Sequence, residues 1–333
     1  RLACGLQAAG IKKGDRIGAF GKNSLEFFCL YGAAGALGAI VLPINWRLSV
    51  EEALFNLNDC EPVMLFVDPE YQEMIETVKD KLPCVKNYYS MKPPAGGFAG
   101  FDTLLTNGGY FQPADVSADD GLVIIHTAAV AGRPRGALLS HGNLICANTH
   151  ISLQLNLSAD DVHLSILPLF HVGGLFMATG SFHAGILNVN MSKFDAAQAV
   201  NLIEEKNVSV MFDFAPILGS ILEEHKKSGK NIQTLQHVAG LESPTVIESY
   251  QKLTGGTFIC MYGQTETSAV ATMGRYSDRP GSAGQTVLLS NVRLVDDNDN
   301  PLPAGEIGEI VVKGPIVFKG YWNLAEDTAF TFR

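Results

Sequence analysis

The stretch VIIHTAAVAGRPRGALLSHGNL, Val123 to Leu144, decides how the rest of the chain is read. It opens as a buried strand, turns through a loop carrying Gly132 and Gly136, and closes as the start of a helix. That layout commonly holds phosphate, because free backbone N–H groups at a helix N-terminus favour an anion. The two glycines let the backbone approach closely, and Arg133 and Arg135 add positive charge. The spacing does not fit the G-x-x-x-x-G-K-[ST] pattern, and Ala128, Ala129, Val130 and Ala131 bring no hydroxyl. A plain strand–turn–strand hairpin with its arginines in solvent competes with the phosphate reading.

Outward from this stretch, strands and helices alternate. Strands are predicted at Arg16–Phe20, Ile40–Pro43 and Val63–Val67, with helices at Ser24–Ala39, from Ser49 to about Asn58, and at Tyr71–Lys81. Ser49 and Glu52 have the spacing of a capping box. After a Pro/Gly-rich stretch from Lys92 to Gly109, strands follow at Leu122–His126, Val162–Leu167, Val208–Phe214, Gln236–Ala239 and Thr257–Met261. Helices are predicted at Asn143–Leu155, Asp195–Lys206, Pro216–Lys227 and Pro244–Leu253. Repeated strand–helix units imply parallel sheets flanked by helices, which bind ligands at the carboxyl ends of their strands. Beyond Gly281 the texture changes to short alternating strands, Val292–Val295 and Glu309–Lys313, around the turn-rich DDNDNPLPAGEIG. The expected class is therefore α/β with a small antiparallel β subdomain. The expected divisions are 1–120, 121–280 (carrying the ligand sites) and 281–333.

Composition narrows the function. The 333 residues carry a net charge of −10, with 47% hydrophobic and 17% charged residues. That balance argues against a nucleic-acid partner, whose phosphates need basic patches. The uncharged runs at 27–44 and 162–192 are broken by Gly and Pro, so buried elements are expected rather than transmembrane spans. The six cysteines contain no C-x-x-C pair and fit reduced thiols in a cytoplasmic protein; their spacing points to no zinc site. The chain begins without Met, and both ends look cut from a longer protein.

Two further stretches carry chemistry. FICMYGQTETS, Phe258 to Ser268, ends a buried strand at Tyr262-Gly263 and continues to Thr265 and Glu266. A carboxylate beside a hydroxyl at a strand's carboxyl end suits a magnesium–phosphate site. Tyr262 could stack on a base, and Gly263 would leave room for a ligand. A solvated Glu in an ordinary turn is the plainer alternative. LPLFHVGGL, Leu167 to Leu175, places His171 between an aromatic residue and glycines, facing either an apolar pocket or the core.

These stretches, with GIKKGDRIGAFGKNSLEF, GAIVLPINWRLSVEEALFNLND, RPGSAG and PLPAGEIGEIVVKGPIVFKGYW in the same order, resemble the adenylate-forming (AMP-binding) superfamily. The layout is most similar to the N-terminal portion of a fatty-acyl or aryl CoA ligase, and the resemblance covers essentially the whole chain. It implies the multi-layered N-terminal domain fold of acyl-CoA synthetases. It also implies attack of a carboxylate, most simply a fatty acid, on Mg·ATP to give an acyl-adenylate, then transfer to coenzyme A. By similarity, Thr127, Gly132, Arg135 and Gly136 would line the phosphates. Glu266 would bind Mg2+, and Thr265 would lie near the α-phosphate. Gly240, Leu241, Glu242, Tyr262 and Gly263 would surround the adenine, and His171, Val172 and Gly173 would border the acyl pocket. A homodimer is compatible with the resemblance.

The departures from the family are specific. The family's T-S-G-T-T-G-x-P-K-G appears here as Thr127 to Gly136 with three hydroxyls and one glycine lost and Arg135 in place of lysine. Each lost hydroxyl removes a hydrogen bond to a charged group, worth roughly 1.5–3 kcal/mol, and a planar guanidinium is no neutral replacement for an ammonium. The ribose-binding Asp, the hinge and the C-terminal domain are expected beyond Arg333. Two alternatives accompany the enzyme: a non-catalytic binding relative with a decayed phosphate loop, and adenylation that serves a carrier protein.

Overall fold

The structure is a computed structural model that describes all residues except 94–95, 106–110, 128–132 and 333. Contacts divide the chain into two compact units. The first comprises Arg1–Gly142, Pro168–His171 and Phe318–Arg333; the second comprises Asn143–Leu167 and Val172–Val317.

The first unit is built on an eight-stranded sheet in the order Gly320–Tyr321, Gly136–Ser140, Gly121–His126, Ile40–Ile44, Arg16–Phe20, Met64–Val67, Asn87–Ser90 and Ala99–Gly100. From Gly121–His126 to Ala99–Gly100 all neighbours are parallel. Ile17, Ala19, Phe20, Leu42 and Ile44 are buried, as strands covered on both faces require. The helix Leu25–Leu37 packs on the Ile40–Ile44 strand. It starts where Ser24 Oγ accepts the Phe27 N–H at 3.1 Å, and it stops at Gly38, whose φ of 66° suits glycine. The helix Val50–Cys60 opens on the predicted capping box. Ser49 Oγ accepts the Glu52 N–H at 3.3 Å, and the Glu52 carboxylate accepts the Ser49 N–H at 2.9 Å.

The second unit carries a seven-stranded sheet in the order Gln285–Thr286, Thr272–Arg275, Thr257–Tyr262, His237–Leu241, Val210–Phe214, Val162–Ser165 and Leu187–Asn190. The last five are mutually parallel, and the first two join antiparallel. The helices Val172–His183, Ala196–Lys206, Ile217–Ser228 and Pro244–Thr254 pack on its strands. Asn291–Val295 and Glu309–Lys313 form the expected antiparallel pair. The fold class predicted from strand–helix alternation is the one observed.

One expectation changes. The Thr127 loop does not lead straight to a helix: the competing strand–turn–strand reading holds, with Gly136–Ser140 antiparallel to Gly121–His126, and the helix His141–Gln154, close to the predicted Asn143–Leu155, begins only afterwards. Pairing buries Ala137 and Leu139 at the sheet. Val41 pairs with Val123, which carries residues 121–140 into the first sheet, and the 291–313 hairpin stays with the second unit.

Candidate active site

In the second unit, three neighbouring parallel strands end at one sheet edge. Asp213 stands beside Gly240 and Gly240 beside Cys260 in the register, so the residues after Phe214, Leu241 and Tyr262 emerge together. Gly240 is fixed by packing, because a Cβ there would lie 1.8 Å from the Asp213 carbonyl oxygen. Leu241 is 50% exposed, and Glu242 Oε1 accepts the Ser243 N–H at 2.7 Å. Tyr262 is half-buried. The space beside Gly263 belongs to the chain itself, since a Cβ there would meet the Ala269 carbonyl oxygen at 2.0 Å. Its glycine therefore has a packing cause before any ligand is considered.

Thr265, Glu266 and Thr267 form a short 3-10 turn closed by a reciprocal Gln264–Thr267 cap, with Thr267 Oγ1 accepting the Gln264 N–H at 3.0 Å. Ser268 Oγ donates to the Ile316 carbonyl at 2.7 Å. The turn is thus anchored from both sides, and Glu266 is buried at 8% exposure. The plainer alternative of a solvated Glu does not describe it. A buried carboxylate needs a compensating charge or donors, and a hard oxygen ligand beside the Thr265 hydroxyl suits Mg2+.

Sequence reasoning missed Asp213. It is fully buried, its Oδ1 accepts the Leu218 N–H at 2.9 Å, and its Oδ2 has no partner among the described residues. Burial, with Glu242 nearby, pushes its pKa up to about 7. The available signal was a lone acid inside the apolar run VMFDF.

The remaining predicted residues are distributed between the units. Val172 and Gly173 start the helix Val172–His183, whose residues through Ser181 are all buried. His171 belongs to the first unit. There Leu169 is gripped from both sides: its N–H donates to Asn23 Oδ1 at 2.8 Å, and its carbonyl accepts the Tyr31 hydroxyl at 2.7 Å. The Arg47 guanidinium lies 5.8 Å from the Phe170 ring centroid. His171 keeps solvent access, while the protein around its ring and the Arg47 charge hold its imidazole below the ordinary pKa.

Thr127, Arg135 and Gly136 also lie in the first unit, at the base of a β-hairpin rather than at a helix N-terminus. The Thr127 N–H donates to the Arg135 carbonyl at 3.0 Å, and its hydroxyl points to the same oxygen at 3.4 Å. A Cβ on Gly136 would come within 2.8 Å of Ile124. The Arg135 guanidinium stacks 4.2 Å from the Tyr321 ring centroid and lies 3.5 Å from Asp327. Gly132 and the Ala/Val centre of the loop lie outside the described residues.

The sequence profile of AMP-binding enzymes matches residues 1–322. The chain belongs to the AMP-binding enzyme family. Within that family it is 33% identical, over 99% of its length, to the indoleacetate–CoA ligase of Aromatoleum aromaticum. It is 31% identical, over its full length, to the feruloyl-CoA synthase of an Amycolatopsis species. The chain spans 66% of the length of each of these relatives. The same fold is seen in the crystal structure of a Rhodopseudomonas palustris protein designated a long-chain-fatty-acid CoA ligase. That structure has a TM-score of 0.95 and 42% identity, and the match covers all of this chain and 84% of that one. No helix among the described residues is long and apolar enough to cross a membrane.

Proposed function

We propose that the intact protein activates an apolar carboxylic acid as its acyl-adenylate and passes the acyl group to coenzyme A. The observation that carries this reading is the buried Glu266 carboxylate. It lies in the loop that leaves the carboxyl edge where Gly240-Leu241-Glu242 and Tyr262 emerge, in a chain of the AMP-binding family. Residues 240–242 and Tyr262 would bracket the adenine, and the Thr265 hydroxyl would face the α-phosphate. Glu266 would hold Mg2+, which when bound supplies positive charge where negative charge builds on the phosphates. In the first unit, Arg135 would offer phosphate a cation. Because it already rests on Tyr321 and Asp327, less side-chain freedom is lost when it meets an anion. The uncharged helix Val172–His183 supports an apolar acid, fatty or aromatic, with His171 at its threshold. A cytoplasmic location is proposed on the same terms; none of the six cysteines forms a disulfide among the described residues.

The Thr127 loop favours a second reading, a binding protein that no longer adenylates. Its one retained hydroxyl is directed at the Arg135 carbonyl, and its base draws on no helix N-terminus. Hydroxylamine trapping with the intact protein, Mg·ATP and a panel of fatty and aromatic acids separates the two. A trapped hydroxamate with any acid establishes adenylation; acids that bind by calorimetry without product favour the binding protein.

A further inference from the structure

We propose that Asp59, Cys60 and His126 of the first unit form a binding site for a divalent transition-metal ion of the zinc type. The three residues come from two elements. Asp59 and Cys60 end the helix Val50–Cys60, and His126 ends the strand Gly121–His126. Asp59 Oδ2 lies 3.1 Å from His126 Nε2 and 3.8 Å from Cys60 Sγ, and one donor atom from each residue lies within 4.8 Å of the others. Ligand bonds of about 2.0–2.3 Å in a tetrahedron place neighbouring donor atoms roughly 3.3–3.5 Å apart. The two gaps to Asp59 straddle that separation, and the third, within 4.8 Å, closes with a side-chain shift of at most about an ångström.

The site has a prepared frame. Arg16 Nε donates to the Cys60 carbonyl at 2.7 Å, and Asn323 Nδ2 donates to the Asp59 carbonyl at 2.9 Å, which fixes the end of the helix. Gly136 gives the imidazole room, since a Cβ there would stand 3.3 Å from His126 Nε2. The His126 side chain is 5% exposed and that of Asp59 21%, while Cys60 is fully buried. Apart from the bond to Asp59, the ring is unsupported: His126 Nδ1 is buried and has no partner among the described residues. The His126–Asp59 pair is therefore not the end of a completed hydrogen-bond relay.

A mixed sulfur, nitrogen and oxygen donor set suits zinc-like ions rather than Mg2+ or Ca2+. On binding, the S–H bond of Cys60 breaks, its proton passes to solvent, and the S–metal bond forms. Thiolate, carboxylate and neutral imidazole then balance an ion of charge +2, and solvent completes the coordination. Because His126 directly precedes Thr127, a bound ion would pin the first residue of the loop.

The test is Co2+ titration of the intact protein after treatment with a chelator. The expected result is one equivalent bound with the near-ultraviolet thiolate-to-cobalt absorption, displaced by Zn2+. Cys60→Ser should abolish that band, and His126→Gln should weaken Co2+ binding about 100-fold. Cys29→Ser, at an exposed cysteine, should leave the band intact. A native protein without the band overturns the proposal whatever the variants do, and so does a band that survives Cys60→Ser.

Discussion

Asp213 and Leu218 are joined by one hydrogen bond, 2.9 Å from the Leu218 N–H to Oδ1, that supports the first turn of the helix Ile217–Ser228 from the preceding strand. The other oxygen of the same carboxyl has no donor among the described residues. The pKa of this acid is raised from 3.8 to about 7. The folded chain therefore holds a proton that the unfolded chain releases across that interval. Stability from that proton is complete below about pH 4 and is lost as pH rises through about 7. Asp213→Asn keeps the acceptor for Leu218 and removes the charge. It should flatten the decline in stability between pH 4 and 7 and be more stable at pH 8, by at most on the order of 4 kcal/mol. Urea denaturation of both proteins across this range decides it; equal slopes would place the proton elsewhere.

Gly240→Ala should destabilise the protein by about 3 kcal/mol or more, because its new methyl would overlap the Asp213 carbonyl oxygen. Thermal and urea midpoints measure this. A variant as stable as the parent would show that the two strands part without cost.

Glu266→Gln preserves shape and removes charge. On the proposed function it should lower adenylation about 100-fold while the fold persists. Pyrophosphate release, with circular dichroism as the control on folding, reads both effects; full activity would remove Glu266 from the chemistry.

Arg135→Ala removes a half-exposed ion pair with Asp327, so its effect on stability should stay below about 1 kcal/mol. Its effect on the KM for ATP should be a rise of about tenfold if the guanidinium meets the phosphates. An unchanged KM would leave Arg135 as no more than a partner for Tyr321.

Tyr31→Phe deletes the buried hydroxyl that holds the Leu169 carbonyl, a loss of about 1–3 kcal/mol. Because Leu169 lies two residues from His171, the KM for the acid should rise while the KM for ATP stays level. A parallel rise in both would indicate a general loss of fold.

Much of this was legible in the sequence because local signals agreed with tertiary ones. Ser49 and Glu52 predict their own cap, and the helix Pro244–Thr254 follows from Pro at its start and Gly255 at its end. The Asn291–Val295 and Glu309–Lys313 pair follows from alternation around a turn-rich insert. What escaped depended on distant residues. Locally, Gly136–Ser140 reads either as the return strand of a hairpin or as the approach to a helix; its partners, residues 121–126 on one side and 320–321 on the other, decide between them. Asn23 and Tyr31 sit about 140 residues from the Leu169 backbone they bind. The Asp59–Cys60–His126 cluster has no recognisable spacing because it joins a helix end to a strand end. Glycines were legible as glycines but not in their cause: Gly263 and Gly136 make way for the chain's own atoms.

The strand Gly320–Tyr321 closes the open side of Gly136–Ser140 almost two hundred residues after that strand is made. During synthesis, at about 5–20 residues per second, the earlier strand waits roughly ten seconds or more with an unpaired edge that invites pairing with other chains. A nascent chain arrested before residue 320 should therefore be sticky and dependent on chaperones, and emergence of Gly320–Tyr321 from the ribosome should end that exposure.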